Sequence, residues 1–168
     1  HLIELAEIAA NCLSVILQLE GRDEEAVNVL EAALGRSAGC HRLLRRLVEL
    51  HVKRGQTEPA LAAAERLSGS GEPSPALLDA VRGAVHAVQR NWDAALPELQ
   101  RAYAGGCRDP LCLRWLAVAL LGGQQFDAAV GVLAEWQRIE PNNAELQAYL
   151  NAVAQNRQSS CKPSSETP

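Results

Sequence analysis

Four alanines fall in register along the chain, Ala26, Ala60, Ala95 and Ala129, separated by 34, 35 and 34 residues. Each stands early in a segment that follows a glycine or polar turn: "GRDEEAVNVLEAAL", "GQTEPALAAAERL", "NWDAALPELQRAY" and "QFDAAVGVLAEWQ". A fixed period of this length marks a stack of similar supersecondary units, since a single-core domain has no physical reason to repeat itself. Each segment is preceded by a further apolar stripe. The stripes run Ile8, Cys12, Leu13, Ile16, Leu17 and Leu19; then Leu43, Leu44, Leu47, Leu50 and Val52. They continue with Leu77, Leu78, Val81, Val85 and Val88, and with Leu113, Leu116, Leu120 and Leu121. Spacings of three and four residues place these side chains on one face of a helix. The predicted unit is therefore a helix, a tight turn and a second helix.

The turns carry matching chemistry. Gly21, Gly55 and the pair Gly122–Gly123 are predicted to end helices in the left-handed conformation, which costs glycine nothing. Asp23, Thr57, Asp93 and Asp127 are candidate caps for the free N–H groups of the helices that follow. Pro59 suits a first helical turn, and Pro97, slightly deeper, predicts a small irregularity rather than a break.

With period, stripes and turns in place, the chain resembles an array of tetratricopeptide repeats, a family with a period of about 34 residues and small residues where its helices cross. Pro141 in "EPNN" matches the family's late proline, and Trp92 and Phe126 match the aromatic before the second helix. The resemblance implies an all-α, right-handed superhelical solenoid of antiparallel helix pairs forming one domain over 1–158. Its repeats would be 7–40, 41–74, 76–109 and 110–143, with Pro75 inserted, followed by a capping helix over 144–158. Two positions depart from the pattern. Arg82 stands where the family places a leucine, which predicts a loose or rotated third unit. Trp136 replaces a small residue and is expected to fill space against the capping helix near Tyr149 or Leu150, the alternative being that it lines a ligand pocket. "SGSGEPSP" (68–75) reads as a lengthened surface loop, and 159–168 as a disordered tail.

Composition narrows the function classes. Six aromatic residues among 168 favour helix over sheet, and no apolar run is read as long enough to span a membrane. A net charge of −4 argues against a nucleic-acid binder, and no recurring polar pair suggests a base-reading helical repeat. Five unpaired-looking cysteines, Cys12, Cys40, Cys107, Cys112 and Cys161, include no CxxC; they read as small fillers plus a tail thiol, in a reducing, cytoplasmic setting. His1, His41, His51 and His86 have no metal-ligand spacing, and no phosphate loop or nucleophile elbow is present. No cofactor, metal or catalytic set is expected. The chain has no methionine and opens inside a helical pattern, which reads as a piece of a longer protein.

What stacked helix pairs offer is surface. The resemblance implies that the first helix of each pair lines a concave groove, and that a partner peptide or amphipathic helix binds there. In "HRLLRRLVELHVKRG", Arg42, Arg45, Arg46, Glu49 and Lys53 recur at helical spacing, with Arg114 extending the strip and Asn11 standing in the first unit. Such a strip would meet carboxylates on a partner; alternatively it is a solvated face with ion pairs Arg45–Glu49 and Glu49–Lys53. The carboxylate-clamp subtype is matched only in part, since Ala80, Ala84, Val15 and Val118 stand at groove positions where it needs cations or amides. Leu77, Leu111 and Trp115 make the rest of the groove apolar, as an amphipathic helix requires. The leading expectation is a non-catalytic scaffold; the alternative is the regulatory or substrate-positioning arm of a larger enzyme. Self-association through "HLIELAEIAA" is a further expectation.

Overall fold

Each apolar stripe becomes a helix, and each glycine or polar turn reverses the chain. The computed structural model describes residues 2–67 and 74–160, with side chains through Asn156. Among these residues the elements are α1 (Leu2–Leu19), α2 (Asp23–Leu34), α3 (His41–Lys53), α4 (Thr57–Leu67), α5 (Pro75–Val88), α6 (Trp92–Ala104), α7 (Pro110–Gly122), α8 (Phe126–Ile139) and α9 (Ala144–Ser160). Successive helices pair antiparallel, α1 with α2 through α7 with α8, and α9 lies on α8. The first helices of the pairs also touch in order, α1 on α3, α3 on α5 and α5 on α7, so the array is a solenoid.

The four in-register alanines are all fully buried, because only a methyl group fits where the second helix of a pair crosses its neighbours closely. Residues with left-handed backbone recur at the same period: Gly21, Gly55, Arg90 and Gln124. The expectation for Gly122–Gly123 is corrected, since Gln124 takes the positive φ there. Gly122 is needed for a different reason: a Cβ on it would sit 2.5 Å from Cε2 of the Trp92 ring. The capping expectation also shifts. Asp23, Asp93 and Asp127 lie in the first turns of α2, α6 and α8, where negative charge suits the helix dipole. Among the described residues the side-chain caps instead include Asn91, which accepts from the Ala94 amide, Asp109, which accepts from the Leu111 amide at 2.9 Å, and Asn143, which accepts from the Leu146 amide at 3.1 Å. α6 runs unbroken through Pro97, and Pro75 opens α5 as its first residue.

The core forms two main clusters. One joins α1–α5 and takes in Leu111; the other joins α5–α9, and Trp115 packs against both. α3 buries its whole stripe, with Leu43, Leu44, Leu47, Leu50 and Val52 at 1% exposure or less. α1 does not, which corrects the sequence reading. Ile8, Leu13, Ile16 and Leu19 are 46%, 45%, 52% and 84% exposed, and Cys12 is exposed as well. Counting back from the turn residue, Leu13 and Ile16 correspond to Leu47 and Leu50 of α3, which are buried.

α1 brings a second correction. At 18 residues, with a mean hydropathy of 1.7, it is long and apolar enough to cross a membrane by length and composition. Its Ala10, Ser14 and Leu17 edge packs on the rest of the solenoid.

The third unit is closely packed although Arg82 stays out of its core. Arg82 is exposed 3.5 Å from Asp79, and α5 buries Ala80, Val81, Gly83, Ala84, Val85 and Ala87 instead. Ala80 and Ala84, expected at groove positions, are fully buried helix contacts. A Cβ on Gly83 would lie 2.6 Å from Leu99 Cγ, so α6 approaches the bare backbone of α5 there. Trp136 is 1% exposed and stacks obliquely on Tyr149 at 6.3 Å, filling the junction with α9 as expected. Residues 159 and 160 of the predicted tail belong to α9; 161–168, and 68–73 of the predicted loop, lie outside the described residues.

Candidate functional site

The side chains of α5 are small where it packs, and this brings α3 and α7 together across it. Arg45 on α3 donates through Nη2 to Asp109, the cap of α7, 64 residues away in sequence. The same curl drops Leu111 into the core cluster of α3.

Most of the predicted strip gathers where α3 and α7 converge, with different partners from those expected. Arg46 donates through Nη1 to Glu49 at 3.2 Å and through Nη2 to the side-chain carbonyl of Gln18 on α1. Its Nε is buried with no hydrogen-bond acceptor. Gln18, rather than Asn11, is therefore the residue of α1 that meets the strip; Asn11 is half-buried, and its backbone carbonyl accepts from Ser14. Arg42 is exposed in the first turn of α3. Arg114 comes within 3.7 Å of Glu145 at the start of α9, and its guanidinium lies 5.0 Å from the centre of the Trp115 ring. The predicted Arg45–Glu49 pairing is replaced by Arg45–Asp109 and Arg46–Glu49.

Lys53 reports the electrostatic balance. Lys53 is exposed, yet partial desolvation among its neighbours holds its ammonium below the ordinary lysine value, and the nearby Arg114 and Arg46 guanidiniums push it further down. Glu49 and Glu145 act the other way without restoring it. Glu145 is shared, since it also accepts from the Tyr149 hydroxyl at 3.0 Å; burial, then this carboxylate, raises that tyrosine to about 12. Three cations thus converge on a region supplied with two carboxylates, already engaged.

Beside them a cavity of about 280 Å³ opens between α3, α7 and the α8–α9 turn. Arg45, Glu49 and Arg114 line one side, and Leu111, Trp136 and Glu140 the other. Glu140 accepts from Trp136 Nε1 at 2.8 Å and from Asn143 Nδ2 at 2.9 Å, which fixes the floor of the cavity. Leu77 and Trp115 are half-buried and pack toward the core, leaving only part of each to a ligand. Among the described residues no group of three His, Cys, Asp or Glu could hold a metal ion.

The arrangement of helices can be matched to solved structures. TTC0263, a thermophilic TPR protein of Thermus thermophilus, superposes with a TM-score of 0.60 at 19% identity, over 90% of this chain and 82% of that one. The chain has the tetratricopeptide-repeat fold. The first TPR domain of human RPAP3 matches at a TM-score of 0.52 and 18% identity, over 71% of this chain and 93% of that domain. YrrB, a TPR protein described as having an unusual peptide-binding site, matches at 0.50 and 18%, over 90% and 78%. No protein-family model and no curated protein sequence matches the chain.

Asp109, Glu140 and Gln18 were the site residues that sequence reading missed. Asp109 carried a usable signal, standing directly before Pro110 at a helix start. Glu140 and Gln18 carried none, because only the curl of the solenoid brings them to this site.

Proposed function

We propose that this TPR-fold chain is an interaction scaffold whose concave face binds a segment of a partner protein, without itself catalysing a reaction. The bound segment presents a carboxylate to Arg46, Lys53 and Arg114 and seats a side chain in the cavity against Leu111. The observation that carries this reading is the convergence of Lys53 on the Arg46 and Arg114 guanidiniums, which add to partial desolvation in holding its ammonium below the ordinary lysine value and leave the group short of an anion. An amphipathic helix or extended peptide with one acidic position suits the mixture of charge and apolar surface. The solved TPR-fold relatives support a scaffold role in general terms.

The test compares capture from lysate of the source cells by the wild-type chain, a Lys53→Glu variant, and an Arg138→Glu control on α8. Lys53 makes no hydrogen bond or ion pair among the described residues, so its reversal leaves the Arg45–Asp109 and Arg46–Glu49 contacts in place. A partner held by wild type and control but lost by Lys53→Glu supports the concave site. Equal capture by all three moves binding elsewhere.

A second surface supports self-association. Leu13 and Ile16 of α1 expose side chains at positions that α3 buries completely. We assign this edge to contact with a second copy. Sedimentation of wild type against Leu13→Lys/Ile16→Lys tests it, and a wild-type monomer at high concentration refutes it.

A further inference from the structure

Two of the cysteines are brought together by the turn between α6 and α7. Cys107 follows the Gly105–Gly106 turn and is half-buried; Cys112, in the first turns of α7, is completely buried. They pack against each other with Ala80 of α5 and Ala102 of α6, and their thiols are hydrogen-bonded. The backbone around Cys107 is clamped. Its amide donates to the Ala102 carbonyl at 3.0 Å, and Arg108 donates to the carbonyls of Tyr103 and Cys107. Arg108 is itself held by Glu135 at 2.9 Å and lies 3.8 Å over the Tyr103 ring.

We propose that Cys107 and Cys112 form a redox site, in which a hydroperoxide oxidises Cys107 and Cys112 converts the product to an intrachain disulfide. The surroundings divide the two roles. Cys107 is the sulfur with an exposed side, so it meets the oxidant; Cys112 reacts only from within. The contact with the Cys112 thiol, together with the Asp109 backbone amide and the Arg108 guanidinium, lowers the Cys107 thiol to about 7 against the opposing effects of burial and the Asp109 carboxylate. More of it is then thiolate at neutral pH than of an ordinary thiol with a pKa of about 8.5. The same contact and burial raise Cys112, which keeps it protonated until it is needed.

The chemistry balances with the peroxide as the two-electron oxidant. The Cys107 thiolate attacks one peroxide oxygen, an S–O bond forms, the O–O bond breaks, and the departing alkoxide or hydroxide takes a proton. Cys112 then gives up its proton and attacks the Cys107 sulfur. An S–S bond forms, the S–O bond breaks, and water leaves. Both thiols are oxidised by one electron each, and the peroxide is reduced to an alcohol, or to water from hydrogen peroxide, plus that water. A dithiol reductant reverses the change by exchange.

The test uses the full chain and hydrogen peroxide. After limited oxidation and trapping of remaining thiols, peptide mapping is expected to show the 107–112 linkage, lost on reduction, while Cys12 and Cys40 stay alkylatable. Cys112→Ala should stop at a Cys107 sulfenic acid captured by dimedone. Because that buried replacement can perturb folding, the wild-type alkylation profile gives an independent reading: Cys107 should reach half its maximal rate near pH 7, and near about pH 8.5 in the urea-unfolded chain. Oxidation falling first on exposed Cys12, no 107–112 linkage in folded protein, or the same profile folded and unfolded would each overturn the proposal.

Discussion

Gly83 and Gly131 lie in the interiors of α5 and α8, and helix propensity alone treats them alike. Replacing either by alanine should stabilise its helix by about 1 kcal/mol, because glycine surrenders more backbone freedom on folding. Their surroundings separate them. A Cβ on Gly131 has nothing within 4 Å, so Gly131→Ala keeps the full gain, about 2–4 °C in Tm for a chain of this size. A Cβ on Gly83 would lie 2.6 Å from Leu99 Cγ and 3.1 Å from both the Ala95 carbonyl oxygen and the Leu99 amide nitrogen. Leu99 is fully buried and two of the three contacts are backbone, so relief requires α6 to move away from α5. Overpacking of this kind costs about 1–3 kcal/mol, and the tight backbone contacts place Gly83→Ala in the upper part of that range. The expected net is a loss of about 1–2 kcal/mol, a fall in Tm of roughly 2–8 °C, opposite in sign to Gly131→Ala. Thermal and urea unfolding followed by circular dichroism at 222 nm reads both. A Gly83→Ala chain as stable as wild type would refute the close α5–α6 crossing.

Two further outcomes follow from the site. Glu140→Ala leaves the buried Trp136 N–H unpaired and should cost about 1–3 kcal/mol by urea unfolding, largely recovered in the background of Trp136→Phe, which has no such donor; an equal cost in both backgrounds removes this hydrogen bond as the cause. Lys53 is lower in the folded chain than its ordinary 10.5, so the unfolded chain binds more protons between those two values and stability rises with pH across that interval. Lys53→Met should abolish that part of the slope, and a wild-type minus variant difference that stays constant as pH climbs to 10.5 would contradict it.

Much of the architecture was legible because its determinants are local. Alanines at a fixed period, apolar residues three and four apart, and Gly21 and Gly55 at the turns act within one helix pair, and each recurs in the structure. The Arg42–Lys53 strip was legible as a composition but not as a set of contacts. Its arginines were matched to Glu49 by helical spacing, whereas the curl of the array offered Arg45 a better-placed acceptor in Asp109 and Arg46 the amide of Gln18. The stripe of α1 reads like that of α3, yet much of it is exposed, because burial depends on a neighbour and not on the helix itself.

The sequence by itself determined the number of described helix pairs and where the chain turns between them, since backbone propensity and side-chain periodicity are properties of short segments. Tertiary structure alone decided how strongly the stack curls, and therefore which distant side chains meet. That curl rests on small residues such as Gly83, Ala80 and Ala84, whose effect is to let helices approach, and an approach has no signature in a single segment. The cluster of cations where α3 and α7 converge and the thiol pair behind α7 are both products of that approach.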